Sequence, residues 1–317
     1  MSTINSLKTQ TCVAFAPASL SNLGPGFDSL GVALSTWHDQ VHITLTPGLA
    51  YTVGFDPSGE WKGPTDPHKN TASVSALHVA QTLGYTGGAT IHIKKGIRAG
   101  SGLGSSAASA VAGAMAMNGA LGSPLTKSDL IDACMEGESI VSGARHGDNV
   151  IPSLMGGTML VESGNPAFHQ RIDSMMDVHF AVILPDVEVL TQQARALLPA
   201  SVTLKDASVW ASRLSQLILA MSNADVSLFG KLVMKDDLIE PIRATLLSPY
   251  SAIKEAALKR GAKGCALSGS GPAMFAVCSS SAEASAIAES MKNACAEFGI
   301  SSLTAVERIN ARGAYTQ

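Results

Sequence analysis

The segment that most constrains the fold runs from residue 89 to residue 121. Residues 89–95 (ATIHIKK) alternate apolar and polar side chains, which predicts a half-buried strand. Residues 105–121 are rich in alanine, methionine and valine and favour a helix. Between them, residues 98–108 read RAGSGLGSSAA. The sequence therefore predicts a strand, a glycine loop and a helix in succession.

This loop has the composition of a phosphate-binding site. Glycines leave the backbone free to adopt unusual conformations and let a ligand approach closely. Ser105 and Ser106 place hydroxyl and N–H groups at the helix start, where the helix dipole favours an anion. The spacing matches neither a Walker A loop, which needs a lysine, nor the dinucleotide pattern G-x-G-x-x-G. From these residues alone, a phosphate cradle and a packing turn or flexible linker both remain open.

A helix predicted over residues 128–142 carries a second candidate. Glu138 lies one helical turn from Met135 and Val141, so it belongs to the apolar face, whereas Glu136 lies nearer the polar side. A carboxylate on an apolar face is costly unless a cation or hydrogen-bond donors compensate it. Glu138 is therefore either a helix-end glutamate that reaches solvent or a Mg²⁺ ligand that faces the loop.

Composition limits the partners of the chain. The 317 residues carry a net charge of −3, which gives no electrostatic case for binding nucleic acid or a membrane surface. The five cysteines are scattered without a C-x-x-C pair, which argues against a disulfide framework and a zinc site. No signal peptide or membrane-length apolar run is visible in the sequence, so we expect a cytoplasmic protein.

The order of the predicted elements indicates an α+β fold in two parts. Residues 18–28 are rich in turn residues and predict a tight turn between strands beginning at Cys12 and Gln40. A boundary is expected near residues 160–177. The second half alternates helices with strands in a pattern compatible with a two-layer antiparallel α+β unit.

Four motifs in a fixed order indicate a family. They are PASLSNLGPGFDSLG at 17–31, GLGSSAAS at 102–109, HGDNVIPSLMGG at 146–157 and LSGSGPAMFA at 267–276. The chain resembles the GHMP small-molecule kinases, and the segment at 146–157 resembles the homoserine kinase branch. The resemblance spans nearly the whole chain.

The resemblance implies a fold and an activity. The GHMP kinase fold would comprise a ribosomal-protein-S5-like, ATP-binding half at residues 1–165 and a ferredoxin-like half at residues 166–317. The activity would be the ATP- and Mg²⁺-dependent phosphorylation of the hydroxyl of L-homoserine, a step of threonine biosynthesis. A homodimer is an expectation at the level of the family.

The resemblance also assigns roles to residues of this sequence. Ser106 and Glu138 would bind the metal, and Asn149 would join these two in catalysis. Asn70 would contact the adenine, and the remaining nucleotide contacts would come from the loop and the helix start, namely Arg98, Ala99, Gly100, Ser101, Gly102, Leu103, Gly104, Ser105, Ser106, Ala107 and Ala108. The substrate would be held by Asn22, Asp28, His146, Asn149, Arg195 and Arg243.

Two guanidiniums suit the α-carboxylate of an amino acid, since arginine offers a planar fork of donors. The chain departs from the family at Arg98 and Gly147, where proline is frequent. Two alternatives remain at this point. One is another GHMP kinase acting on a sugar or mevalonate-type alcohol, and the other is a non-catalytic sensor of a nucleotide or amino acid.

Overall fold

A computed structural model describes residues 10–59, 61–143, 145–173 and 177–317. Its strands are β1 (Thr11–Ser21), β2 (Leu30–Thr46), β3 (Tyr51–Phe55), β4 (Gly88–Lys94), β5 (Thr158–Glu162), β6 (Asn165–Ile172), β7 (His179–Pro185), β8 (Gly264–Leu267), β9 (Met274–Cys278), β10 (Ser302–Glu307) and β11 (Tyr315–Thr316). Its helices are α1 (Thr71–Thr82), α2 (Ser105–Ala120), α3 (Ile131–Ser142), α4 (Gly147–Met155), α5 (Thr191–Ala196), α6 (Leu204–Ser222), α7 (Val226–Val233), α8 (Glu240–Arg243), α9 (Tyr250–Lys259) and α10 (Ser281–Ala296).

The first sheet has the order β11-β1-β2-β4-β3, and β5 continues it by pairing with both β2 and β6. The predicted strand at residues 89–95 and the predicted helix at residues 105–121 are confirmed as β4 and α2, and the loop joins them. Residues 18–28, expected to form a turn, do so only in part. Ser19, Leu20 and Ser21 pair with Ala33, Val32 and Gly31 after a register shift that follows Pro17. The strands thus extend to the edge of the site, and the turn is confined to the residues between β1 and β2.

Helix α2 is buried on nearly all sides, as expected for a helix that is apolar all round. It packs against β1, β2, α1 and α3. Small residues let these helices approach closely. A Cβ at Gly137 of α3 would lie 2.1 Å from Ser75 Oγ of α1. This close packing brings Glu138 near the start of α2.

The second sheet is antiparallel with the order β10-β7-β9-β8. The continuous apolar run of β7 is buried at every position, because both faces of this sheet are covered. Ile183 and Met274 face a core that also contains residues of α9 and α10. Phe180 and Phe275 face the opposite core, with Phe229 of α7. The α+β class and the GHMP kinase architecture predicted from the sequence are confirmed.

The chain returns to the first sheet at its end. β6 pairs with β5, and β11 pairs with β1 after the second sheet is complete. The division at residues 165 and 166 stays a prediction. Within the part of the chain that the structure describes, no helix is both long and apolar enough to span a membrane.

Candidate active site

The glycine motifs meet around the loop that follows β4. The carbonyl of Leu103 accepts a hydrogen bond from the N–H of Ser19 in the first motif at 3.1 Å. The carbonyl of Gly102 accepts one from Ser268 Oγ in the last motif at 2.6 Å. Segments that are far apart in the sequence therefore hold the loop from both sides.

The conformation of the loop leaves the start of α2 accessible to an anion. Gly104, the N-cap, adopts the left-handed conformation with φ +67° and has no side chain to satisfy the first N–H groups. A Cβ there would lie 2.3 Å from Ser19 Oγ. Leu103 beside it is buried, which contributes about 2 kcal/mol and anchors the loop to the core. The N-terminus of α2 is thus built as an anion site.

A buried ion pair lies beneath the loop. The ammonium of Lys95 contacts Asp39, and it also donates to Ser105 Oγ and Ser109 Oγ, both at 2.8 Å. Asp39 is fully buried and accepts hydrogen bonds from the N–H groups of Gly96 and Ile97 at 3.0 and 3.1 Å. A buried charge pair persists when its remaining hydrogen bonds are satisfied, as they are here. The pair ties β2 and the end of β4 to the first turn of α2.

A cavity of about 280 Å³ opens beside this loop. Most of the residues predicted for the site line it, namely Asn22, Asp28, Asn70, Ala99, Gly100, Ser101, Gly102, Gly104, Ser105, Ser106, Glu138, His146, Asn149, Arg195 and Arg243. The structure therefore brings the phosphate loop and the predicted substrate residues to one cavity.

Four predicted nucleotide contacts lie outside this lining. Leu103, Ala107 and Ala108 are buried in the core, where small apolar side chains let α2 pack against the sheet. The guanidinium of Arg98 contacts Asp186 at 2.5 Å and lies over the ring of Trp61, 5.4 Å from its centroid. These contacts direct the Arg98 side chain to neighbouring protein groups, and its contact with a nucleotide stays a prediction.

Glu138 lies on the buried face of α3, as its helical position predicts. Burial raises the pKa of its carboxyl group to about 7, and Asp148 adds to the shift, while a hydrogen bond from Ser106 and the charge of Lys95 oppose it. A bound cation would favour the ionised form of such a carboxylate. No group of three or more acidic, histidine or cysteine side chains among the described residues could hold a metal by itself. Mg²⁺ usually takes only one or two protein carboxylates and completes its shell with phosphates and water, so Glu138 and Ser106 fit it.

The opposite end of the cavity carries fixed charges of both signs. Asp28 accepts two hydrogen bonds from Arg195, at 3.0 and 2.8 Å, in a bidentate pair. His146 Nδ1 lies 3.6 Å from the same carboxylate. Burial lowers the pKa of His146, and the charges of Arg195 and Arg243 lower it further, while Asp28 opposes the shift. These surroundings favour the neutral imidazole.

The two arginines keep donors available for an anion. Arg243 is 4% exposed and donates to the carbonyl of Gly269 at 2.8 Å. The Nε atoms of Arg195 and Arg243 are buried and have no hydrogen-bond partner among the described residues. A buried donor without a partner is costly, and a carboxylate between the two guanidiniums would satisfy both.

Asn149 is held between two serines of the first motif. Its Oδ1 accepts from Ser19 Oγ at 2.9 Å, and its Nδ2 donates to Ser21 Oγ at 3.1 Å. Its neighbour Asp148 is almost fully buried, and burial together with the charge of Asp28 raises the pKa of that carboxyl group to about 7. Asn149 thus lies between the loop and the charged end of the cavity.

Asn70 is the N-cap of α1. Its Oδ1 accepts from the N–H groups of Ala72 and Ser73, and its Nδ2 donates to the carbonyl of Pro64 at 2.9 Å. The side chain of Asn70 therefore has a structural role in the fold. The contact of Asn70 with adenine stays a prediction.

Sequence reasoning missed Lys95 and Asp148, which also line the cavity. Lys95 follows Ile91 and Ile93 at the same two-residue spacing and so lies on the buried face of the strand. A charged residue on that face was the feature of the sequence that could have identified it. Asp148 stands between two residues that were chosen, and a charged side chain in the first turn of an apolar helix was its signal.

Comparisons with known proteins show what this chain is similar to. The GHMP kinase N-terminal domain matches residues 70–157, and the GHMP kinase C-terminal domain matches residues 217–297. A homoserine kinase of Pyrococcus abyssi is 40% identical over 90% of this chain and 93% of its own length. The crystal structure of homoserine kinase from Cytophaga hutchinsonii is 35% identical, with a TM-score of 0.92 over 100% of both chains.

More distant structures share the fold. The L. major mevalonate kinase is 16% identical, with a TM-score of 0.71 over 95% of both chains, and its likeness concerns the architecture alone. The family predicted from the four motifs is confirmed. This chain belongs to the GHMP kinases and, within them, to the homoserine kinase family.

Proposed function

We propose that this chain transfers the γ-phosphoryl group of ATP to the hydroxyl of L-homoserine, giving ADP and O-phospho-L-homoserine. The observation that carries the proposal is a cavity that joins the glycine loop to a site where the Asp28 carboxylate lies beside two guanidiniums. Such a site suits a zwitterionic amino acid. Membership of the homoserine kinase family supports the same substrate.

The loop end would bind the nucleotide. The N–H groups at the start of α2 hold the phosphates, and the ion pair of Lys95 with Asp39 keeps this turn in place. Glu138 and Ser106 would hold Mg²⁺, since they lie together beside the loop. The ion would supply positive charge to neutralise the phosphates.

The charged end would bind the amino acid by an exchange of ion pairs. The ammonium of the substrate takes the place of Arg195 at Asp28, with Asn22 beside it. Arg195 and Arg243 then hold the α-carboxylate through their guanidinium N–H groups, since both residues line the cavity. Every charge keeps a partner in this exchange. A simple anionic alcohol brings no ammonium, so Arg195 could not leave Asp28 for the carboxylate without depriving Asp28 of this partner.

Asn149 would orient the attacking hydroxyl, because its amide lies between the loop and Asp28. The oxygen of homoserine bonds to the γ-phosphorus as the bond to ADP breaks, and the hydroxyl proton passes to an oxygen of the transferred group. Phosphoryl transfer of this kind has a loose transition state and depends mainly on positioning. We therefore assign no dedicated base. Asn149→Ala should cost less rate than Glu138→Ala, and an equal loss with a strong pH dependence would contradict this.

The deciding experiment is ADP release measured with L-homoserine, mevalonate and galactose as acceptors. We expect turnover with homoserine alone and a large rise in its KM in Arg243→Ala. Turnover with mevalonate or galactose and none with homoserine would instead show another GHMP activity. Background ADP release with all three acceptors would show a non-catalytic sensor. A cytoplasmic location and a homodimer stay predictions.

A further inference from the structure

Two guanidiniums of the candidate site share one aromatic ring. The Cζ atom of Arg195 lies 5.4 Å from the centroid of the Phe27 ring, and that of Arg243 lies 5.1 Å from it. Both distances are within the range of about 6 Å over which a cation is attracted to a ring face. Phe27 stands immediately before Asp28 in the turn between β1 and β2. No role was assigned to Phe27 from the sequence.

Placing these two cations together is unfavourable without compensation. Arg243 is buried, and its pKa is lowered first by burial and then by the charge of Arg195. Asp28 neutralises Arg195 through the bidentate pair, whereas Arg243 donates to a backbone carbonyl and gains only longer-range attraction from Asp28, Asp148 and Asp236. The negative potential over the Phe27 ring is a further source of attraction for both guanidiniums. A ring contact through the guanidinium face also leaves the in-plane N–H donors free to bind an anion.

The ring is itself held in place. The ring of Trp210 in α6 lies edge-to-face with it, with 6.5 Å between the ring centroids and an interplanar angle of 77°. The turn that carries Phe27 is closed by hydrogen bonds from the N–H groups of Ser29 and Leu30 to the carbonyl of Gly26, at 2.9 and 2.8 Å. Phe27 is therefore the point at which the first motif meets α5, α6 and α8.

We propose that Phe27 is a positioning residue whose ring face holds Arg195 and Arg243 side by side, so that both bind one carboxylate. It acts through the arginines and needs no contact with the substrate. The identity of the carboxylate as that of homoserine rests on the proposed function. The effect of Phe27 on the position of the two arginines is independent of which carboxylate binds.

Graded fluorination of Phe27 separates this role from simple packing. Replacement by 4-fluoro-, 3,4,5-trifluoro- and pentafluorophenylalanine withdraws electron density from the ring face and changes its size only slightly. The carboxylate lies away from the reacting hydroxyl, so the lost interaction is the same in the ground state and in the transition state. We expect the KM for homoserine to rise with each step to about tenfold, with kcat within about twofold. Phe27→Leu should show a similar rise in KM.

A matched control and a second readout keep the proposal testable in every case. Phe168 is 61% exposed and has no cation contact among the described residues, so its fluorination should leave KM unchanged. Chemical unfolding of the Phe27 series, in the wild-type and Arg195→Met backgrounds, reports the ring–cation contact without turnover. In the wild-type background, the denaturant concentration at the unfolding midpoint should fall with each degree of fluorination. In the Arg195→Met background it should fall about half as much, because only one of the two cations remains.

The outcomes are distinct. Absence of homoserine turnover in the wild type would refute the proposed function, and the unfolding series alone would then decide the role of Phe27. A KM that stays within twofold across the Phe27 series of an active enzyme would overturn the proposal. The proposal would also be overturned if fluorination lowered the unfolding midpoint equally in the wild-type and Arg195→Met backgrounds.

Discussion

Replacing Asp148 with asparagine should stabilise the protein, and by an amount that depends on pH. Burial raises the pKa of this carboxyl group from 3.8 to about 7. That is a shift of about three units, and each unit is worth about 1.4 kcal/mol, so the ionised form costs the folded state about 4 kcal/mol. Asparagine has nearly the same shape and carries no charge to bury.

The sign of the pH dependence follows from proton binding. Between about pH 4 and pH 7, the folded state holds a proton on Asp148 that the unfolded state has already lost. The free energy of unfolding of the wild type therefore falls as pH rises through this range, and the loss is complete above pH 7. We expect Asp148→Asn to match the wild type near pH 4 and to exceed it by about 4 kcal/mol at pH 8.

Urea unfolding at several values between pH 4 and pH 9 measures this difference. Asp132→Asn is the matched control, since the Asp132 side chain is 79% exposed and its surface pair with Arg145 should contribute at most about 1 kcal/mol. A difference between Asp148→Asn and the wild type that stays constant across the range would refute the reasoning. Such a stability cost at a cavity-lining carboxylate is typical of functional sites.

Three further predictions concern the loop and the metal. Gly102 has φ +77°, and a Cβ there would lie 2.5 Å from a backbone oxygen, whereas Gly84 has φ +66° and open space around it. Gly102→Ala should therefore lower the free energy of unfolding by about 2 kcal/mol more than Gly84→Ala, as measured by urea titration. Equal losses in the two variants would contradict the close approach at Gly102. Glu138→Gln should reduce kcat about 100-fold and weaken the Mg²⁺ dependence of ADP release, so an unchanged Mg²⁺ titration would rule out Glu138 as a ligand. Arg98→Ala should change the KM for ATP less than about twofold, because the Arg98 side chain pairs with Asp186. A tenfold rise in this KM would instead show that Arg98 contacts the nucleotide.

Some features of the site follow from local sequence alone. A strand, closely spaced glycines and a helix start in succession predict a loop suited to phosphate, because the backbone conformation and the helix dipole are local properties. The helical period placed Glu138 on the buried face of α3 in the same way. The same reasoning could not say which groups of the motif face the cavity. Arg98, Leu103, Ala107 and Ala108 belong to the motif, yet their side chains contact other parts of the protein, so only their backbone groups would remain for a phosphate.

Other features depend on contacts between distant parts of the chain. Arg195 and Asp28 are separated by 167 positions and form a bidentate pair, and Ser268 reaches the loop carbonyl of Gly102 across 166 positions. No periodicity or spacing encodes such a distance, because it results from how the two sheets pack.

The sequence by itself determined the class of fold, the glycine loop between β4 and α2, and the family to which the chain belongs. The tertiary structure alone decided which of these residues meet. Burial then set the protonation of Glu138, Asp148 and His146, because a pKa depends on the solvent and charges around a group and not on its neighbours in sequence. The shared contact of two arginines with Phe27 has the same origin, since the packing of four separate segments creates it.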